Sequence, residues 1–348
     1  MPDIHQLIES FGPEQVILTA DAACGYRGVI VIDDRTLGPA VGGTRFRHYD
    51  DTNSAMRDAL RLARGMTRKT ALAGLPVGGG KSVILEPAAP YDRAALFRAH
   101  GRSVERLTGA YITAPDVGVA AADLREMRKE TRHVLGTSEA LGDSGKATAH
   151  GVHRAMRAAV RQSCGAPSLS GCHVVIQGCG SVGASLAREL AAAGARLTVS
   201  DADQAKAAGL ARELGANVAG AEEVYDVSAD VFAPCALGGI LEPGIIARLG
   251  ARVVVGGANN QLMSPEDADG LRARGITYVP DYLANAGGVI LGYTELSGGS
   301  LADAMMRIDR IEETTTTVLR QAEADGVSPA EAADRLAREI LERARAGQ

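Results

Sequence analysis

Tryptophan is absent from the 348 residues, and aromatic side chains make up only 3% of them. No basic run occurs, and the net charge is −5. A nucleic-acid binder needs a cationic face and stacking rings, so that class is disfavoured. No stretch of about 18 consecutive apolar residues is present, so no membrane span and no membrane partner are expected. The start, Met1-Pro2-Asp3-Ile4-His5, lacks the basic and apolar regions of a secretory signal. The cysteines, Cys24, Cys164, Cys172, Cys179 and Cys235, are odd in number and show no Cys-x-x-Cys spacing. A reduced cytoplasmic protein without structural zinc is the simplest reading. His150 and His153, three apart at a helix start, are the nearest thing to a metal-ligand pair. No carboxylate motif accompanies them in the sequence, and no metal is expected.

What the chain does have is glycine: 42 residues, well above the usual ~7%. Many tight turns and close backbone approaches follow from that. The length predicts two domains. In the first half a strand at 28–32, a turn at 33–35, a helix at 54–66, a strand after Lys81, a helix near 93–107, a strand at 110–113 and a helix near 121–135 are expected from apolar spacing. Turn formers cluster from Gly136 to Gly145, so residues 1–136 form one domain and 137–147 a hinge. The second half begins with a helix over 148–163. Apolar strands follow at 173–177, 196–200, 217–219, 230–233, 252–256 and 276–280. Helical stretches or loops separate them, which predicts a parallel sheet covered on both faces. The expected class is α/β in two domains: an N-terminal substrate domain and a doubly wound dinucleotide-binding domain over 148–325, with a cleft between them. Two tail helices broken at Gly326-Val327-Ser328-Pro329 complete the chain, and the segment 326–348 is expected to pack back on the first domain.

The stretch Gly74-Leu75-Pro76-Val77-Gly78-Gly79-Gly80-Lys81-Ser82-Val83 has the look of a phosphate loop. Its spacing is wrong by one residue, because Leu75 stands where the opening glycine belongs. A phosphate loop also runs straight into a helix, whereas Ser82-Val83-Ile84-Leu85-Glu86-Pro87 reads as a strand. Lys81 therefore has another task.

A better cofactor motif is Gly178-Cys179-Gly180-Ser181-Val182-Gly183. It follows a strand directly and opens a helix, the setting such a motif requires. Gly178 makes the tight turn, Gly180 admits the pyrophosphate, and Gly183 lets helix and strand close up. The pyrophosphate sits on the helix N-terminus. Asp201, at the end of the next strand, is placed to accept ribose hydroxyls and to repel a 2′-phosphate, so NAD is expected over NADP.

The cofactor thus belongs to the second half, and the first half is left for the substrate. Lys69, Lys81 and Asp116 offer two ammonium groups and a carboxylate. Converging on a dry cleft, they could bind an acid's carboxylate and move protons, with one lysine's pKa lowered toward neutrality. Surface lysines and a turn aspartate are the alternative.

The sequence resembles the leucine/phenylalanine/valine dehydrogenases of the wider glutamate dehydrogenase superfamily over roughly residues 10–345. The carriers are Gly38-Pro39-Ala40-Val41-Gly42-Gly43-Thr44-Arg45, the run Ala59 to Lys69, Pro76 to Ser82, and Pro115-Asp116-Val117-Gly118. Further on come Ala233 to Gly239, Gly257-Ala258-Asn259-Asn260-Gln261-Leu262, and Pro280-Asp281-Tyr282 with Asn285-Ala286-Gly287-Gly288. The resemblance implies reversible oxidative deamination of an apolar L-amino acid to a 2-oxo acid and ammonia. Lys69 would pair with the substrate carboxylate, Lys81 would activate water, and Asp116 would assist proton transfer at the amine. Asn285 would hold the substrate's amino or carboxylate group, while Gly42 and Gly43 would let backbone approach it. Thr148 and Asn260 would place the nicotinamide ring, and Cys235, Ala236, Ala258 and Asn259 would stand around the cofactor. A homo-oligomer is implied as well.

Val41, Ala114 and Ile308 would line the side-chain pocket. Glutamate-specific relatives place a lysine at the position of Val41. An apolar residue there leaves a second carboxylate unpaired, which is costly when buried. Branched-chain substrates are favoured and aromatic ones come second. Lys146-Ala147 departs from the small residues or proline usual before Thr148. Two rivals use the same cofactor domain: a hydroxy-acid dehydrogenase, which would rely on a His-carboxylate dyad, and a non-catalytic NAD-binding regulator, which would need no lysine set.

Overall fold

The fold is described from a computed structural model covering residues 4–88, 90–136 and 141–347. Two compact units emerge. The first takes Met1–Gly142, Gly292–Ser300 and Arg338–Gln348, and the second Asp143–Leu291 and Leu301–Ala337. Of the expected hinge at 137–147, residues 137–140 lie outside the described residues. Asp143 accepts a hydrogen bond from the Gly145 N–H and caps a helix beginning at Ser144, so 144–147 are that helix's first turn. The capping aspartate among glycines looks like loop composition, yet it is also a helix start signal.

In the first unit the elements run α1 (Ile4–Phe11), β1 (Gln15–Asp21), β2 (Tyr26–Asp34), β3 (Ala40–Arg47), α2 (Thr52–Leu72), β4 (Gly78–Leu85), α3 (Arg93–Glu105), β5 (Tyr111–Pro115) and α4 (Ala121–Arg128). The sheet order is β1-β2-β4-β3-β5. β2 is antiparallel to β1 and β4, while β3 is parallel to β4 and β5. One face carries Val29, Val31, Val83 and Leu85 against Ala55, Met56, Ala59, Leu60 and Ala63 of α2. Ile84 on the other face packs with Leu96, Phe97, Leu124 and Met127. Sequence reading passed over β1 and β3. In β3 the pair Gly42-Gly43 interrupts the apolar alternation that marks a strand. Asp33 and Asp34, read as a turn, end β2 instead. The helix expected near 121–135 ends at Arg128, and Val134 then bridges to Thr113 of β5.

The second unit continues with α5 (Ser144–Cys164), β6 (His173–Gln177), α6 (Ser181–Ala192), β7 (Arg196–Ser200), α7 (Gln204–Leu214), β8 (Asn217–Val218), β9 (Ala229–Pro234), α8 (Pro243–Arg248), β10 (Ala251–Val254), α9 (Asp267–Ala273), β11 (Thr277–Tyr278) and α10 (Asp281–Ala284). The parallel order β11-β10-β9-β6-β7-β8 is that of the doubly wound dinucleotide fold, with its switch point between β6 and β9. After α11 (Gly287–Leu296) the tail forms three helices, α12 (Leu301–Asp309), α13 (Ile311–Asp325) and α14 (Pro329–Ala346). The break near Arg310 lacks glycine and proline, so it has no local signal. Within the described residues no helix is long and apolar enough to cross a membrane.

Candidate active site

Lys81 sits in the middle of β4, a strand buried along its whole length. Its Nζ lies 2.9 Å from Oδ2 of Asp116, just past the end of β5. The strand order, with β3 between β4 and β5, brings together residues 35 positions apart. Arg45 of β3 donates from Nε to the same Asp116 oxygen at 2.9 Å, and its Nη1 lies 3.0 Å from Oδ2 of Asp58 on α2. Tyr49 donates to that Asp58 oxygen at 2.7 Å. Lys81 is 5% exposed. Burial pushes its pKa down, against the upward pull of Asp116. Burial acts upward on Asp116, but Lys81 and Arg45 outweigh it and hold the carboxyl below its usual range. The result is a carboxylate fixed by two cations and an ammonium group whose proton is loosened by desolvation.

Behind Lys81 the opposite face of the sheet is polar as well. Ser82 Oγ, Thr44 Oγ1 and Nε2 of His100 lie within 2.7–3.1 Å of one another. Thr113 Oγ1 stands 2.5 Å from Thr44, and Tyr26 OH stands 2.8 Å from His100 Nδ1. Burial pushes the His100 pKa down to about 3, so the ring is neutral and bonds through both nitrogens. This network fastens β3, β4 and β5 to α3 and sets the position of the strand that bears Lys81.

The glycines of these strands make room for the protein itself. A Cβ on Gly78 would strike the carbonyl of Asp34, one on Gly79 the backbone of Thr67, and one on Gly42 the carbonyl of Gly80. At Gly80 it would meet the Tyr111 ring at 3.0 Å, and at Gly43 the carbonyl of Pro115 at 2.6 Å. The resemblance implies that Gly42 and Gly43 let backbone approach the substrate. The side-chain space at each of the five is taken by neighbouring strands, α2 or a ring. Lys69 stands in the last turn of α2, half-buried. Val41 is buried and pairs with Gly79 and Ile112, while half-buried Ala114 pairs with Gly43. Ile308 is fully buried in α12 of the second unit. Arg45, Asp58 and Tyr49 were missed. Their one signal was the position of Arg45 directly after Gly42-Gly43-Thr44.

In the second unit the glycine loop has the shape its motif implies. Gly178, at φ +99°, is buried against Ala236, and a Cβ on Gly183 would strike the Gly178 carbonyl. Gly180 is exposed and faces open space, with nothing within 4 Å of a Cβ built there. It is the N-cap of α6 and contributes no side-chain cap, so the first-turn N–H groups, including those of Ser181 and Val182, are left for an anion. Val182 lies under Gly257. Asp201, at the end of β7, accepts from the Cys179 N–H at 2.7 Å and the Asp203 N–H at 2.8 Å. A carboxylate has about four acceptor positions, so two bonds leave capacity for ribose hydroxyls. These features fit a dinucleotide.

Around the loops that follow β9 and β10, Cys235 Sγ accepts from the Gly257 N–H at 3.5 Å, and burial pushes its pKa up to about 12. It is a neutral thiol that shapes the loop. Ala258 is buried and donates from its N–H to Pro234. Asn260 has a left-handed backbone, φ +52°, and its N–H donates to Asp281 at 2.8 Å. Asn285 donates from Nδ2 to Oδ1 of Asn259 at 2.8 Å and to the Gly257 carbonyl at 3.2 Å. Its own Oδ1 is buried with no hydrogen-bond partner, an acceptor waiting for a donor. Thr148, in the first turns of α5, presents Oγ1 beside Gly288. Exposed Lys146 lies two residues before it.

Comparison with known proteins shows the family. The family described as "Glu/Leu/Phe/Val dehydrogenase, dimerisation domain" matches residues 13–133, and "Glutamate/Leucine/Phenylalanine/Valine dehydrogenase" matches 204–347. A leucine dehydrogenase from Geobacillus stearothermophilus is 43% identical over 98% of this chain and 94% of its own length. A valine dehydrogenase from Streptomyces coelicolor is 41% identical over 98% and 96%. The crystal structure of L-tryptophan dehydrogenase from Nostoc punctiforme superposes with a TM-score of 0.88 at 38% identity, covering 98% of this chain and 99% of that one. With both family domains matched and relatives above 40% identity over nearly the whole chain, this protein belongs to the glutamate/leucine/phenylalanine/valine dehydrogenase family of amino acid dehydrogenases.

Proposed function

We propose that this enzyme carries out the NAD-dependent, reversible oxidative deamination of an apolar L-amino acid, with branched-chain side chains preferred. The products are the 2-oxo acid and ammonia. The observation that carries the reading is the buried Lys81–Asp116 pair at 2.9 Å, tied to Arg45. When bound, NAD supplies a nicotinamide ring able to accept the hydride from the substrate Cα. The chain's own residues do the rest. Lys81, its pKa lowered by burial, takes a proton from the water that adds to the iminium carbon. Asp116, held ionised by its two cations, steadies the protonated Lys81 and relays the proton that Lys81 has taken to the departing nitrogen. Lys69 pairs with the substrate carboxylate, and the free Asn285 Oδ1 accepts from the substrate amine. Asp201, placed for ribose hydroxyls, disfavours a 2′-phosphate and supports NAD over NADP.

Buried, apolar Val41 supports exclusion of a second carboxylate from the side-chain pocket. Leucine dehydrogenase relatives at 40–43% identity support a branched-chain substrate. An aromatic substrate is the second reading, favoured by the 0.88 TM-score to the tryptophan enzyme. Pocket methylenes discriminate by only about 10–200-fold, so overlap between the two is expected. The match to a dimerisation domain supports a homo-oligomer. Five unpaired cysteines support a reducing, cytoplasmic setting.

The test is NADH formation at alkaline pH against a panel of L-amino acids and 2-hydroxy acids, repeated with NADP. Leucine, isoleucine and valine should lead, with NAD strongly preferred. No turnover with any apolar amino acid removes the proposal. In the same assay Lys69→Ala should raise the KM for the amino acid about tenfold or more, since a hydrogen bond to a charged group contributes about 1.5–3 kcal/mol. An unchanged KM would refute the carboxylate role.

A further inference from the structure

One cluster of ligating side chains lies outside both sets of residues already described. His150 and His153, one turn apart on α5, meet Glu189 of α6. Nδ1 of His150 is 3.0 Å from Glu189 Oε2, and Nδ1 of His153 is 3.7 Å from the same oxygen. The ligand atoms of the three all lie within 4.8 Å of one another, and no other group of three such ligands occurs among the described residues. The two rings are stacked, with centroids 6.1 Å apart at 26°. Sequence spacing showed the histidine pair but no carboxylate; the fold supplies one from a helix 36 positions away.

We propose that His150 Nδ1, His153 Nδ1 and Glu189 bind a zinc-class divalent ion, with water completing the coordination. Three features of the cluster point to a cation. First, the spacing fits. Bonds of about 2.0–2.1 Å in a tetrahedral site put ligand atoms roughly 3.3 Å apart, and the two distances to Glu189 bracket that value. Second, His153 Nδ1 is buried without a hydrogen-bond partner, a lone pair or N–H that nothing in the protein satisfies. Third, the outer shell is present. Nε2 of His150 lies 2.9 Å from Asp309 Oδ1, so a carboxylate fixes the ring with Nδ1 turned to the site. A ligating histidine almost always has such a partner on its other nitrogen. Arg154 is 2.8 Å from Asp309 and 3.5 Å from Glu312, and Arg157 is 3.2 Å from Glu312. Those arginines balance the outer carboxylates and leave Glu189 as the charge facing the ion. Binding exchanges the Nδ1 proton of His150 for the metal and ties α5, which carries Thr148, to α6, whose N-terminus is the glycine loop. The site is independent of the proposed reaction.

The experiment uses the purified full chain after EDTA treatment, without a histidine tag. Zinc chloride is followed by thermal unfolding and cobalt chloride by its visible absorption. One ion per chain should bind saturably at micromolar concentration and raise the Tm, because a ligand of the folded state stabilises it. The cobalt spectrum should show d–d bands without thiolate charge transfer, which separates this site from the cysteines. His153→Gln and Glu189→Gln should each weaken binding at least tenfold, and His48→Gln, at an exposed histidine, should not. If one variant fails to fold, the other decides. Absent binding, a thiolate band, or affinity unchanged in both cluster variants overturns the proposal.

Discussion

Lys81→Ala should lower turnover by about 10²–10⁴-fold, the range a positioned general base contributes, while NAD binding survives. The two properties separate because Lys81 lies on β4 of the first unit, and the glycine loop Gly178–Gly183 belongs to the second. Arginine is the informative companion. Lys81→Arg keeps a cation opposite Asp116 but cannot release its proton at any working pH. If the lysine acted only as a fixed charge, arginine would restore part of the rate; as a base, it restores none. The pH dependence carries the same argument. Burial lowers the Lys81 pKa, so the active neutral form is gained as pH rises through a value below the ordinary lysine value of ~10.4. In the wild type kcat/KM should therefore climb with pH along one limb, and that limb should be missing from the residual activity of both variants. Steady-state rates and quenching titrations with NADH measure the two halves. Near-normal turnover in pure Lys81→Ala protein would refute the assignment.

The glycine loop and its strand–turn–helix setting were legible because their signals are local. A strand, a glycine loop, a helix and an aspartate follow one another within about thirty residues, and each has a fixed physical reason for its place. The Lys81–Asp116 pair was not legible in that way. Lys81 and Asp116 are separated by a helix and meet only through the order β4-β3-β5, so resemblance rather than spacing joined them. Arg45 was lost with its strand, since a glycine pair hides strand alternation. The glycines are ambiguous in sequence for a related reason. A bare backbone reads equally as room for a ligand or room for the protein, and only packing distinguishes them. At Gly78, Gly79 and Gly80 the occupants are Asp34, Thr67 and Tyr111. The third helix of the tail and the Glu189 neighbour of the two histidines are likewise products of tertiary contact.

That distinction between kinds of glycine makes the second large prediction. Gly180 and Gly183 stand three apart in one motif, yet alanine should affect them in opposite ways. At Gly183 a Cβ would run into the backbone carbonyl of Gly178, which cannot move without opening the turn at φ +99°. Gly183→Ala should destabilise the dinucleotide unit by about 1–3 kcal/mol or more, the cost of overpacking against backbone, and its Tm should fall by several degrees. At Gly180 the space is open and φ is −73°, on the negative side that alanine prefers. Gly180→Ala should therefore keep its Tm. A methyl group there occupies the approach to the first-turn N–H groups of α6, so NAD affinity should drop at least tenfold, about 1.4 kcal/mol. Thermal unfolding and NAD titration on both variants decide the matter. Wild-type NAD affinity in Gly180→Ala would remove the pyrophosphate from the N-terminus of α6, and an unshifted Tm in Gly183→Ala would contradict the helix–strand contact that shapes the loop.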